Sequence, residues 1–201
     1  MPSQTTSVDN SSPVYPVIMP VPFASQQLSG REKVKALSQL ARKALLFSCK
    51  KSGWPIIHLK KDPNGAPIPE NGYYWSLSHK SRFVAAVVAP YPIGIDIERL
   101  RPSSKALRNR IASTKEWQLE PKIDPDLLFF RFWTAKEAVL KAVGVGMNGL
   151  SNCRIIKILD DSKMCLSYQH TTFRVTHIQF DGHLATVIID NRPICWTHLL
   201  K

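Results

Sequence analysis

Ile93-Gly94-Ile95-Asp96-Ile97-Glu98 is the stretch on which the reading of this chain turns. Isoleucine alternates strictly with Gly, Asp and Glu, which is the period of a β-strand whose successive side chains point to opposite faces. Ile93, Ile95 and Ile97 then pack on one side while Asp96 and Glu98 project together from the other. Two carboxylates that close raise each other's pKa unless a cation neutralises them. Oxygen-only ligands that must also meet phosphate suit Mg²⁺, which takes one or two carboxylates plus phosphate oxygens. The competing reading of the hexapeptide alone is a half-exposed strand with its acidic residues in water.

Downstream, Pro125 to Val143 reads as a helix, with Asp124 and Asp126 at its positive end and Gly144 past its last turn. Trp133, Glu137 and Lys141 are spaced by four and share one face. They are either a solvent-exposed Glu–Lys pair beside a core Trp, or a third carboxylate and an ammonium aimed at phosphate charge. Upstream, Ser78-His79-Lys80 follows a strand, with Arg82 close by. A hydroxyl, an imidazole and two cations form a plausible phosphate cradle. The plainer reading of His79 is a hydrogen-bonded structural residue.

The remaining segments frame these three. Val14–Phe23 is apolar but broken by Pro16, Pro20 and Pro22, which predicts an edge strand at best. Ser29 to Lys51 is a basic amphipathic helix, with Val34, Leu37, Ala41, Ala44 and Leu45 at helical spacing. Tyr73–Ser78 and Phe83–Ala89 are strands, and 103–112 is a short basic helix. Ser113-Thr114-Lys115-Glu116 has the form of a capping box. Cys153–Ile158, Met164–Tyr168, Phe173–Phe180 and His183–Ile189 are strands, the last two joined across Asp181-Gly182. The expected fold is α+β, two similar halves, each a small antiparallel sheet packed against a helix. Residues 1–12 are expected to be disordered, 13–90 to form the N-terminal half, and 91–201 the C-terminal half with the carboxylate motifs.

Composition narrows the function classes. Lys plus Arg number 27 against 15 Asp plus Glu, a formal charge of +12 over 201 residues, which favours acidic or polyphosphate partners. Cys49, Cys153, Cys165 and Cys195 are scattered without zinc-ligand spacing, as in a reducing compartment. No apolar run reaches membrane-span length, and the start lacks the basic and apolar segments of a signal peptide, so a cytoplasmic location without membrane partners is expected. P-loop, dinucleotide and hydrolase-serine motifs are all missing from the sequence.

In this order, Ser78-His79, Gly94-Ile95-Asp96-Ile97-Glu98 and Trp133-Thr134-Ala135-Lys136-Glu137-Ala138-Val139-Leu140-Lys141 resemble the 4′-phosphopantetheinyl transferases of the long, surfactin-synthetase-activating type. Residues 1–93 precede the Gly-Ile-Asp strand, as in that pseudo-dimeric type and unlike the short holo-carrier-protein synthases. The resemblance implies a monomer with its active site in the cleft between the halves. Asp96, Glu98 and Glu137 would hold Mg²⁺ with the pyrophosphate of coenzyme A. Ser78 and His79 would meet the 3′-phosphate, with Lys80 and Arg82 nearby, and Lys141 and Lys136 would face the pyrophosphate. Glu137, Lys141 and Asp96 would be the catalytic group, with Glu137 as base for the serine of an apo acyl, peptidyl or aryl carrier protein.

Two departures from the family pattern stand out. Gly65-Ala66-Pro67 lacks the lysine common in relatives, with Lys60, Lys61 or Lys80 as the available replacements. The turn Gly144-Val145-Gly146-Met147-Asn148-Gly149 also lacks one. A coenzyme A-binding pseudoenzyme is therefore an alternative. A basic nucleic-acid-binding module is the other, but its basic clusters lack interleaved aromatics and it leaves the carboxylates without a purpose.

Overall fold

The computed structural model describes residues 12–199. The expectation of disorder for the N-terminal tail therefore falls, up to residue 11, outside the described residues. In chain order the elements are β1 (Val17–Pro20), α1 (Phe23–Gln26), α2 (Gly30–Ser52), β2 (Tyr74–His79), β3 (Phe83–Ala89), β4 (Ile95–Arg99), α3 (Lys105–Ile111), α4 (Thr114–Trp117) and α5 (Pro125–Val143). A 3₁₀ turn, Gly146–Asn152, leads into β5 (Cys153–Ile158), β6 (Lys163–Tyr168), β7 (Thr171–Phe180), β8 (His183–Ile189) and β9 (Thr197–His198).

The fold is α+β, with two sheets each packed on one long helix. The first sheet has the order β2-β3-β1-β9 and the second β4-β8-β7-β6-β5. Helix α2 turns Leu37, Ala41, Ala44, Leu45 and Cys49 inward at the predicted spacing. Burying Leu37 and Leu45 alone contributes roughly 3–6 kcal/mol. Gly53, at φ 72°, ends the helix in the left-handed conformation that a side chain disfavours. Helix α5 starts where expected: Asp124 accepts from the backbone N–H groups of Asp126 and Leu127, and Pro125 occupies the first turn, where its missing N–H is no loss. Its buried face, including Phe132, Ala135, Ala138 and Val139, covers the second sheet.

Two expectations are corrected. β1 is an interior strand, antiparallel to β3 and parallel to β9. The prolines fall at its margins, so Ile18 and Met19 keep their N–H groups, and Pro16 needs only its carbonyl, which accepts from Thr197. The first sheet is accordingly mixed rather than wholly antiparallel. The tail, with Ile194 bridged to Val14, crosses back onto this sheet although it lies at the far end of the sequence.

Where the sheets meet, no ladder joins β2 to β4. Ser76 and Ser78 of β2 stand in for one: their hydroxyl oxygens accept from the backbone N–H of Ile95 (3.1 Å) and Ile97 (3.3 Å). Two serines at i and i+2 thus bind the edge of the second sheet with side chains in place of main chain. Among the described residues no helix is long and apolar enough to cross a membrane.

Candidate active site

Gly94 explains why α5 can lie so close to β4. A Cβ built on it would stand 1.8 Å from the carbonyl oxygen of Ala138, so any side chain there pushes the helix off the strand. That close approach carries Lys141 onto the strand: its Nζ donates to Asp96 Oδ1 (2.7 Å) and to the Ile95 carbonyl (3.0 Å). Ser78 donates to the same Asp96 oxygen at 2.7 Å. Three elements from both halves of the molecule therefore converge on one carboxylate.

Glu98 is held in the same way. Lys80 Nζ lies 2.7 Å from its Oε1, and the Trp133 indole donates to that atom at 3.2 Å. Asp96 and Glu98 are each only 5% exposed, so β4 is buried on both faces and the half-exposed alternative fails. Burial, and to a lesser degree Asp96, push the Glu98 carboxyl above the usual carboxylate range, against the hydrogen bond from Lys80. Burial followed by Asp96 does the same to Glu137, with Glu98 adding to it. Asp96 Oδ2 and Glu98 Oε2 are buried without a hydrogen-bond partner among the described residues. Buried anionic oxygens left this way are costly unless a cation meets them.

His79, the exposed last residue of β2, follows the buried Ser78. Partial desolvation, then Lys141, Lys80 and Lys61, hold its pKa below the ordinary histidine value. A histidine disfavoured as a cation by three lysines marks a concentration of positive charge beside two buried carboxylates. Lys61 comes from the loop carrying Ala66, and Ala66 in turn approaches Gly144, whose hypothetical Cβ would lie 3.4 Å from it. The loop carrying Ala66 and the turn that begins at Gly144 are therefore neighbours in space.

The structure brings together Ser78, His79, Lys80, Asp96, Glu98, Glu137 and Lys141. Arg82 it does not: that guanidinium pairs with Asp181 at 3.0 Å, on the turn between β7 and β8. Lys136 is also elsewhere. It is 2% exposed, and its ammonium meets Glu116 Oε1 and the Ile111 carbonyl, each at 2.7 Å. One residue is about 100° of helix, so Lys136 cannot share the face of Glu137 and Lys141. Ser78 lies in the cluster, but its proton goes to Asp96, which makes it a support for that carboxylate rather than a free phosphate ligand. Sequence reasoning missed Trp133 as a donor to Glu98, although its spacing from Glu137 was the available signal. Ser76 carried no signal, because its partner is a main-chain N–H on another sheet.

Among the described residues, no three His, Cys, Asp or Glu side chains converge as a ready-made metal cage. What is present is a pair of unpartnered carboxylate oxygens on β4, with Glu137 facing them electrostatically. A cation completed by substrate oxygens fits that donor set better than one caged wholly by protein.

The chain is 33% identical over 102 residues to the 4′-phosphopantetheinyl transferase psf-1 of Bacillus pumilus, covering 48% of this chain and 44% of that protein. It is 36% identical over 115 residues to the 4′-phosphopantetheinyl transferase HetI of Nostoc sp., covering 54% and 46%. With the 4′-phosphopantetheinyl transferase Sfp of Bacillus subtilis it shares 27% over 121 residues, covering 59% and 50%. The chain thus spans about half the length of the curated relatives it matches. The profile of the 4′-phosphopantetheinyl transferase superfamily matches residues 92–195, just over half of the sequence, and takes in β4, α5 and every carboxylate of the cluster. The chain belongs to that superfamily.

Proposed function

We propose that this protein transfers the 4′-phosphopantetheine arm of coenzyme A to a serine hydroxyl of an apo acyl, peptidyl or aryl carrier protein, in a Mg²⁺-dependent reaction that releases 3′,5′-ADP. The observation that carries the proposal is the joint at Asp96, where Ser78 and Lys141 fix one carboxylate oxygen while the second has no partner among the described residues. Asp96 and Glu98, with Glu137, would hold the metal. When bound, Mg²⁺ would supply Lewis-acid polarisation of the phosphate oxygens and offset part of the carboxylate charge.

The protein's own groups have separable roles. Lys80 and Lys61 offer positive charge and His79 a neutral hydrogen-bond donor to the nucleotide phosphates, with Lys61 in place of the lysine that relatives carry at position 66. Lys141 is set to offset negative charge growing on the pyrophosphate. The serine oxygen bonds to the β-phosphorus, the bond from that phosphorus to the bridging oxygen breaks, and the electron pair leaves on 3′,5′-ADP. The serine proton passes to Glu137, directly or through a water. Catalysis of this kind is mainly positioning and electrostatics. The +12 charge favours capture of a polyanionic donor and an acidic acceptor, and the protein acts as a cytoplasmic monomer.

The reading is tested by mixing the protein with coenzyme A, Mg²⁺ and an apo carrier protein. One 3′,5′-ADP should appear per serine modified, and Glu137→Gln should bind coenzyme A yet release none. Coenzyme A that binds the wild type and is never consumed would instead support the binding-only alternative, which the missing lysines at Ala66 and in 144–149 favour.

A further inference from the structure

A polar row crosses the second sheet beneath α5. Asp96, Thr186 and His177 stand directly opposite one another on β4, β8 and β7, and so share a face. Asp96 serves the cleft; His177, two strands away, does not. The Thr134 hydroxyl donates to the Phe130 carbonyl at 2.8 Å and lies 2.6 Å from Thr186 Oγ1, from which it accepts. Thr186 then has only lone pairs left for His177 Nδ1, 2.7 Å away. This network assigns the His177 proton to Nδ1 and leaves Nε2 a bare acceptor.

Nε2 has no hydrogen-bond partner among the described residues, and neither has Arg131 Nε. Both side chains line a cavity of about 450 Å³ between the first half of α5 and the sheet, with Leu127, Asp161, Ser162 and Gln179. Arg131 is 2% exposed and His177 6%. The Arg131 Nη2 donates to the Asp160 carbonyl at 2.8 Å, while the Asp160 carboxylate is turned to Ser162 and Lys163. No described carboxylate comes within the 4.0 Å of an ion pair with this guanidinium. Asp161, Asp160 and Glu120 offset this charge only through space, and burial outweighs them, so the unbonded Nε–H facing the cavity is open to an anionic acceptor. Burial, helped by Arg131, holds His177 down to about 3, so the imidazole stays neutral and accepts a proton only as a hydrogen bond. Asp161 at the rim disfavours a fully ionised ligand.

We propose that this cavity is a binding site for hydrogen phosphate, which accepts from Arg131 Nε–H and donates its own hydroxyl to His177 Nε2. The site is separate from the cleft and does not depend on the transferase reading. Calorimetric titration of the full chain at neutral pH with inorganic phosphate and with sulfate tests it. Sulfate has similar size and shape but no proton to give, so it should bind about tenfold more weakly, the loss expected for one hydrogen bond to a buried acceptor. His177→Phe should bring the two affinities together, and Arg131→Met should abolish both. If Arg131→Met fails to fold, His177→Phe still decides the matter. Long-range ¹H–¹⁵N spectra should show the Nδ1–H form of His177 and a shift at its Nε2 on adding phosphate. Equal affinities for the two anions in the wild type, or a phosphate response confined to His79, would overturn the proposal.

Discussion

Lys136→Met tests the placement of a lysine that its neighbour Glu137 would draw toward the cleft. The ammonium is buried with Glu116 as its counter-charge, and the side chains are 3% and 10% exposed. Removing one partner of such a pair costs about 3–5 kcal/mol, because the other charge stays buried. The two halves of the pair are unequal. Without Lys136, Glu116 keeps the Ser113 N–H (2.8 Å), the Ser113 hydroxyl (2.9 Å) and the Ile155 N–H (2.9 Å). Lys136→Met should therefore fall near the lower figure, about 3 kcal/mol, or a melting temperature about 6–12 °C lower for a chain of this size. Without Glu116, Lys136 keeps only the Ile111 carbonyl, and α4 loses its capping box. Glu116→Ala should reach about 5 kcal/mol, a fall of about 10–20 °C. Removing both charges with Lys136→Met and Glu116→Leu should cost less than the two changes added. Thermal and urea unfolding measure these differences, and coenzyme A titration at a temperature where the variants are folded completes the test. Unchanged stability in Lys136→Met together with weaker coenzyme A binding would refute the placement and return this lysine to the ligand.

Gly94→Ala should destabilise the protein by about 3 kcal/mol or more, since its Cβ would meet the helix backbone at Ala138 rather than a movable side chain. Because the helix must shift off β4, coenzyme A consumption should fall further than stability alone explains; an active, wild-type-like melt would contradict the close packing. His177 predicts a particular acid sensitivity. Its folded pKa lies at about 3, below the value of 6.5 in the unfolded chain, so its contribution to stability is complete above pH 6.5 and is lost as pH falls toward 3. Within that window the cost is about 1.4 kcal/mol per pH unit. His177→Phe should flatten the low-pH limb of the stability curve by that slope, and an unchanged limb would mean the ring is solvated.

Much of the site was legible because its residues sit at regular periods within single elements. Asp96 and Glu98 are two apart on a strand, and Trp133, Glu137 and Lys141 four apart on a helix, so one periodicity places each set. Lys136 adjoins Glu137 in the motif, but one residue of helix turns it about 100° away, onto Glu116. The α+β class followed from the alternation of the two periods and from Asp181-Gly182. Long-range closures were beyond reach: neither the return of Thr197–His198 to β1 nor the Ser76 and Ser78 hydroxyls bonding β4 has a local signature. Arg82 resembles a phosphate ligand beside His79 in sequence, but it sits in the bend before β3 and pairs with Asp181 on a distant turn.

The most direct measurement is the intact mass of an apo carrier protein incubated with this protein, coenzyme A and Mg²⁺, beside an Asp96→Ala control. A gain of one phosphopantetheine arm with the wild type and none with the control is the predicted result. No gain across acyl, peptidyl and aryl carriers, with coenzyme A bound throughout, would contradict the account.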